Sequence, residues 1–195
     1  MTVEPHSGSV AARPPADVAD YLRMPFRRPI VGLGTTAAVA IVLAREGMSG
    51  RAALDAFFLA SLVVLAAIDF EQRILPNRLV LPATAIVLVF QAAISPAEAV
   101  RAAMSAAAAF FLLLVPAALR PGALGMGDVK LGLLLGAGLG GSVLTGLLVG
   151  FLAVVPVALY LLVRRGAAAR TVPLPLGPFL AFGAAVVVLA GVPTL

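Results

Sequence analysis

From residue 29 onward, apolar stretches alternate with short polar breaks, at about 29–45, 52–70, 79–95, 98–119, 128–141, 142–163 and 174–192. Most approach the roughly 17–25 residues that a helix needs to cross a hydrocarbon layer about 30 Å thick. No water is present at that depth to satisfy a free backbone N–H or C=O, so each stretch is expected as an α-helix. The pattern predicts an all-α, polytopic membrane bundle of seven helices. The stretch 128–141 is short and glycine-rich, and a six-helix bundle in which it forms a re-entrant or broken helix is the alternative.

Proline and charge mark where stretches end. Pro76 lies in Ile74-Leu75-Pro76-Asn77, and the residue before a proline is pushed out of the α region. The helix that runs through Asp69 is therefore expected to stop before Pro76, with the chain re-entering the bilayer at Leu79. Residues 1–28 hold Pro5, Pro14, Pro15 and Ser7-Gly8-Ser9 among scattered charges, without the apolar core of a signal peptide. They read as a disordered cytoplasmic tail ahead of one transmembrane domain over 29–195. No repeat at a period of roughly 20–50 residues divides that domain further.

Composition narrows the chemistry. The 195-residue chain is 62% apolar and 12% charged, against roughly 45–50% and about 25% in a soluble domain, so the lipid bilayer is the expected solvent. The absence of cysteine excludes a disulfide framework, a thiolate zinc site and a cysteine nucleophile. His6, the single histidine, sits in the tail, so a serine–histidine pair and a histidine-bearing metal site each lack a member; no metal is expected.

The formal charge of +5 would point to nucleic acid in a soluble protein. In a membrane bundle it reports which loops face the cytoplasm, and no nucleic-acid partner is expected. With the tail inside, the inner segments carry eleven positive residues: Arg13, Arg23, Arg27, Arg28, Arg73, Arg78, Arg120, Lys130, Arg164, Arg165 and Arg170. The outer loops carry three, Arg45, Arg51 and Arg101. The asymmetry orients the N-terminus inward and brings Asp69 and Asp128 to the cytoplasmic face.

An ionisable group at membrane depth is costly and is a functional hypothesis by default. Among the nine acids, Glu4, Asp17 and Asp20 belong to the tail, while Glu46, Asp55 and Glu98 are expected as solvated residues of the outer loops. Asp69, Glu71 and Asp128 remain. Asp69 closes the apolar run 62–68, with Arg73 one turn on, so that a helix-end ion pair is the plain alternative to a catalytic role. Glu71, two residues along, faces away from Asp69 and is expected at headgroup level. Asp128, in Gly125-Met126-Gly127-Asp128-Val129-Lys130-Leu131, falls in the first turn of a helix, where free N–H groups favour negative charge; simple capping is its plain alternative.

Gly132, Gly136 and Gly140 follow Asp128 at intervals of four residues, a small-residue stripe suited to close helix packing. The helix ending at Asp69 is its expected partner. Two carboxylates at one membrane face suggest an aspartyl dyad, in which one acid holds a proton while the other takes one from water.

Three blocks occur in order: 68–77 around Asp69, 125–131 around Asp128, and Pro173-Leu174-Pro175-Leu176-Gly177-Pro178-Phe179-Leu180. Together they resemble the type IV prepilin peptidase family of GxGD membrane aspartyl proteases, over about residues 55–185. The resemblance implies that Asp69 and Asp128 are catalytic, with Pro76, Asn77, Gly125, Gly127, Lys130, Pro175, Gly177 and Pro178 as supporting motif residues. Lys130, at the inner interface, also suits a snorkelling lipid anchor. The implied substrates are prepilin-like membrane proteins cut at the cytoplasmic face of the bacterial inner membrane, in a pilus or secretion system. The third block has Leu176 where the family more often has Phe. The paired-cysteine domain of the long bifunctional members is missing, so the chain resembles a short form. No cofactor is implied for cleavage, and S-adenosylmethionine enters only with an N-methyltransferase activity.

Two other classes fit parts of the pattern. A proton-coupled transporter also uses paired intramembrane acids and glycine-broken helices, but predicts acids near the bilayer middle. A non-catalytic subunit of a pilus or secretion assembly machine predicts that both acids are dispensable.

Overall fold

A computed structural model describes residues 29–120, 124–166 and 174–192; the expected tail over 1–28, with His6, lies outside the described residues. Among these, the helices are α1 (Pro29–Glu46), α2 (Gly50–Gln72), α3 (Asn77–Ile94), α4 (Pro96–Leu119), α5 (Met126–Leu139), α6 (Val143–Arg165) and α7 (Gly177–Leu189). A 3-10 turn at Gly140–Ser142 joins α5 to α6, and the described residues contain no strand. The helices α2, α3, α4 and the α5–α6 stretch are long and apolar enough to cross a membrane. The chain is an all-α membrane helix bundle.

Local chemistry sets the helix ends. The Ser49 hydroxyl caps α2 by accepting the Ala52 N–H at 3.0 Å, satisfying one of the free donors of the first turn. At the other end Arg73 adopts a left-handed conformation (φ 55°, ψ 35°) and donates its N–H to the Asp69 carbonyl at 2.8 Å, which stops the helix ahead of Pro76. The last apolar stretch yields a shorter helix than its expected span. Pro175 keeps Leu174 out of the α region, Pro178 fits the first turn of α7 without losing a bond, and Gly191 (φ 67°) ends the element just past Leu189. The result is 13 residues.

The stretch 128–141 also becomes a helix of its own. At 14 residues α5 rises about 21 Å, less than the hydrocarbon thickness. Gly140 closes it with φ 53° and ψ −133°, a conformation that a side chain would oppose. Gly140 is thus a turn residue and leaves the stripe that Gly132 and Gly136 begin.

Packing depends on those two glycines and their counterparts in α6 and α7. A Cβ at Gly136 would collide with the Ala106 Cα and the Ser105 carbonyl, and one at Gly132 would meet the Leu113 side chain at 2.9 Å. The stripe therefore seats α5 on α4, not on α2 as the sequence reading expected. Ala102, Ala106 and Ala109 on α4 supply the matching small surface, so that two backbones approach closely. The α2 helix meets α5 elsewhere, where the Phe58 ring lies against Gly138. A second seam joins α6 to α7: Gly183 lies on the backbone of Gly146 and Gly150, and Gly150 lies on Phe179 and Leu180.

These pairings run antiparallel, Gly132 beside Ala109 and Gly136 beside Ala106, Gly146 beside Ala184 and Gly150 beside Leu180. Large apolar side chains such as Phe111 (61% exposed) and Val163 (78% exposed) point outward, as a lipid-facing surface requires.

Replacing Gly136 with Leu is expected to force α4 and α5 apart and destabilise the bundle by more than the about 1–3 kcal/mol usual for overpacking. Leu148→Val on the exposed face of α6 should cost less than about 0.5 kcal/mol. Thermal melting of the detergent-purified proteins checks both, and equal midpoints would show that the stripe is not a packing seam.

Candidate active site

Asp69 lies in the last turn of α2 and is only 5% exposed. Its Oδ2 accepts the backbone N–H of Gly177, the first residue of α7, at 3.0 Å. The amino end of α7 thus faces the carboxylate, which answers one of its lone pairs and presents the favourable end of the helix dipole. The Arg73 guanidinium forms no ion pair with Asp69 among the described residues; Arg73 is exposed and contributes the left-handed cap instead.

Asp128 is the third residue of α5 and is half-buried. Its N–H donates to the Gly125 carbonyl at 3.0 Å, closing the first helical turn. Gly125 and Gly127 each have a steric reason for lacking a side chain. A Cβ on Gly125 would stand 3.2 Å from Asp128 Oδ2, and one on Gly127 would stand 2.9 Å from the Leu75 Cβ. The second contact matters most for assembly, because Leu75 belongs to the buried turn that follows α2. Gly127 lets the start of α5 close onto that turn, which brings Asp128 within electrostatic range of Asp69.

A hydrogen bond closes the same seam: Lys130 Nζ donates to Asn77 Oδ1 at 2.9 Å, tying α5 to the start of α3. A snorkelling lysine would instead direct its ammonium to the headgroups. Pro76 is the buried residue that precedes α3, and Pro175 and Pro178 stand half-buried on either side of Gly177. The described residues of the three sequence blocks therefore gather at one end of the bundle. Glu71 is half-buried there and borders a groove of about 380 Å³ with Phe70, Val31 and Pro178.

The opposite end carries a feature that the sequence reading missed. Asp55, expected as a solvated loop acid, is 4% exposed one turn into α2. Arg51, four residues earlier, approaches Asp55 Oδ2 at 3.3 Å and Glu98 Oε2 at 3.9 Å. The i, i+4 spacing of Arg51 and Asp55 was the available signal. That spacing does not tell whether the pair is buried in the bundle.

Two carboxylates at one end of the bundle, one enclosed and one half-buried and within electrostatic range of the first, are groups of the kind that general acid–base chemistry uses. No group of three or more His, Cys, Asp or Glu side chains suited to a metal ion occurs among the described residues.

Residues 56–162, more than half of the chain and inclusive of both acids, match the model of the type IV leader peptidase family. A "Prepilin leader peptidase/N-methyltransferase" of Bacillus subtilis (strain 168) is 34% identical over 175 residues, covering 87% of this chain and 68% of that relative. No solved structure matches the chain. The family match over most of the bundle, and the relative that extends it, together establish that this chain belongs to the type IV leader peptidase family, a family of peptidases.

Proposed function

We propose that the chain is a membrane aspartyl endopeptidase that cleaves the leader of type IV prepilin-like proteins with the Asp69/Asp128 pair, at the cytoplasmic face of the bacterial inner membrane. One observation carries the reading: the two acids sit at the same end of the bundle, on helix termini that Gly127 and Leu75 hold together. Acids near the middle of the spans would have favoured a proton-coupled transporter.

In this reading the pair enters the reaction with one proton shared between the two carboxylates, as an aspartyl dyad requires. The ionised acid takes a proton from water while the water oxygen bonds to the scissile carbonyl carbon. The protonated acid hydrogen-bonds the resulting oxyanion and then passes its proton to the amide nitrogen as the C–N bond breaks. A leader carboxylic acid and a new amine result, with the proton moved from one acid to the other. The substrate helix has to unwind at the cut, because a helical carbonyl is already hydrogen-bonded.

The cytoplasmic assignment rests on charge. Arg73, Arg78, Arg120, Lys130, Arg164 and Arg165 follow or begin helices at the end that carries the acids, whereas Arg45 and Arg51 flank the other end. Basic residues concentrate on the cytoplasmic side of a membrane protein. The N-methyltransferase activity in the relative's name would draw on S-adenosylmethionine. The proposal is confined to peptide cleavage.

Asp69→Asn and Asp128→Asn should each lower cleavage of a co-expressed prepilin-like substrate by roughly 10²–10⁴-fold or more while the protein still accumulates in the membrane. Gel mobility of the substrate reads the outcome, and full processing by either variant would sink the dyad.

Topology has a separate test. Single cysteines at Ser49 and Ala97 should react with a membrane-impermeant thiol reagent on intact cells, whereas those at Arg78 and Gly166 should react only after the membrane is opened. Labelling of Arg78→Cys from outside would invert the site relative to a substrate whose basic leader stays in the cytoplasm.

A further inference from the structure

The two oxygens of the Asp69 carboxylate have unlike surroundings. Oδ2 accepts the Gly177 N–H at 3.0 Å. The donated N–H occupies one lone pair of Oδ2 and lowers that oxygen's basicity, so Oδ1 is the more basic oxygen and the one better placed to exchange a proton with water. The space beside Gly177 is filled by the same carboxylate. A Cβ there would stand 2.6 Å from Oδ2, 3.1 Å from Cγ and 3.2 Å from Cβ of Asp69. Gly177 is not among the residues with positive φ, so the close approach, not the backbone conformation, is what demands glycine.

The donor is held by a rigid support. The α7 helix buries Leu180, Ala184 and Val187, and Gly183 locks it against α6. A carboxylate on a single Cβ–Cγ bond rotates freely unless something fixes it. Within reach of Asp69, the start of α7 is what fixes it.

We propose that Gly177 is a positioning residue for the peptidase, its backbone N–H clamping Oδ2 of Asp69 so that Oδ1 alone handles the proton of the attacking water. The inference rests on the Asp69/Asp128 reading above. It assigns the third sequence block a part in the chemistry although Gly177 lies beyond the residues of the family match.

The test uses the full chain in lipid vesicles with a prepilin-like substrate. Glycolic acid incorporated at position 177 replaces the N–H by an ester oxygen and adds no atom. The same replacement at position 179, with the corresponding hydroxy acid, removes an ordinary bond of that helix turn, the Phe179 N–H to the Leu176 carbonyl at 3.0 Å. The ester at 177 is expected to lower kcat by about tenfold or more with KM within about twofold, whereas the ester at 179 leaves kcat within about twofold. Gly177→Ala should lower kcat at least as far. Wild-type kcat in the 177 ester, or equal losses from the two esters, would overturn the inference. If Asp69→Asn still cleaves, the dyad reading falls; if it is inactive while the 177 ester is fully active, only the role of Gly177 falls.

Discussion

In a bilayer no hydrophobic force presses one apolar helix onto another, because lipid tails are as apolar as leucine. Helices in this chain must be held by close contact between backbones, and close contact needs residues without bulk. The α4–α5 and α6–α7 seams meet that requirement with Gly132, Gly136, Gly150, Gly183 and the alanines opposite them. The positions of α5 and α7, and therefore of Asp128 and Gly177, depend on these seams.

The same scarcity of bulk recurs at the site for a different reason. Gly127 is pressed on Leu75 and Gly177 on the Asp69 carboxylate itself. In the seams a small residue admits a neighbouring helix, whereas at these two positions it lets a helix start approach the turn or the acid at the end of α2. Both α5 and α7 begin at the acid-bearing end of the bundle, and each offers first-turn N–H groups near a carboxylate. In a medium that solvates charge poorly, such fixed donors replace part of the missing water.

Polar residues buried within the bundle follow the same economy at both ends. Asp55 is matched by Arg51, which reaches on to Glu98, and the Gln91 amide donates to the Ala137 carbonyl at 3.4 Å. Asp55 Oδ1 and Gln91 Oε1 nonetheless lack a hydrogen-bond partner. Asp69 and Asp128 differ from that arrangement: neither has a basic side chain as an ion-pair partner among the described residues, and Asp128 lies within electrostatic range of Asp69.

Much of this architecture was legible in the amino-acid sequence, because lipid imposes so narrow a choice on the backbone. Seven apolar stretches separated by Pro, Gly and charge could only become helices, and Pro76 marked where the first acid-bearing helix would end. The rarity of acids at membrane depth singled out Asp69 and Asp128, and the blocks around them carried the family resemblance. Partners of helix faces were not legible, since period and composition describe one helix at a time. The stripe after Asp128 looked able to pack on any neighbour, and only the tertiary structure chose α4 over α2 and turned Gly140 from seam to bend. Asp55 looked solvated, and only the tertiary structure shows it buried. Gly177, more than a hundred residues from Asp69, read as one member of a motif. Its N–H bond to the carboxylate exists only once the tertiary structure brings the start of α7 to the end of α2.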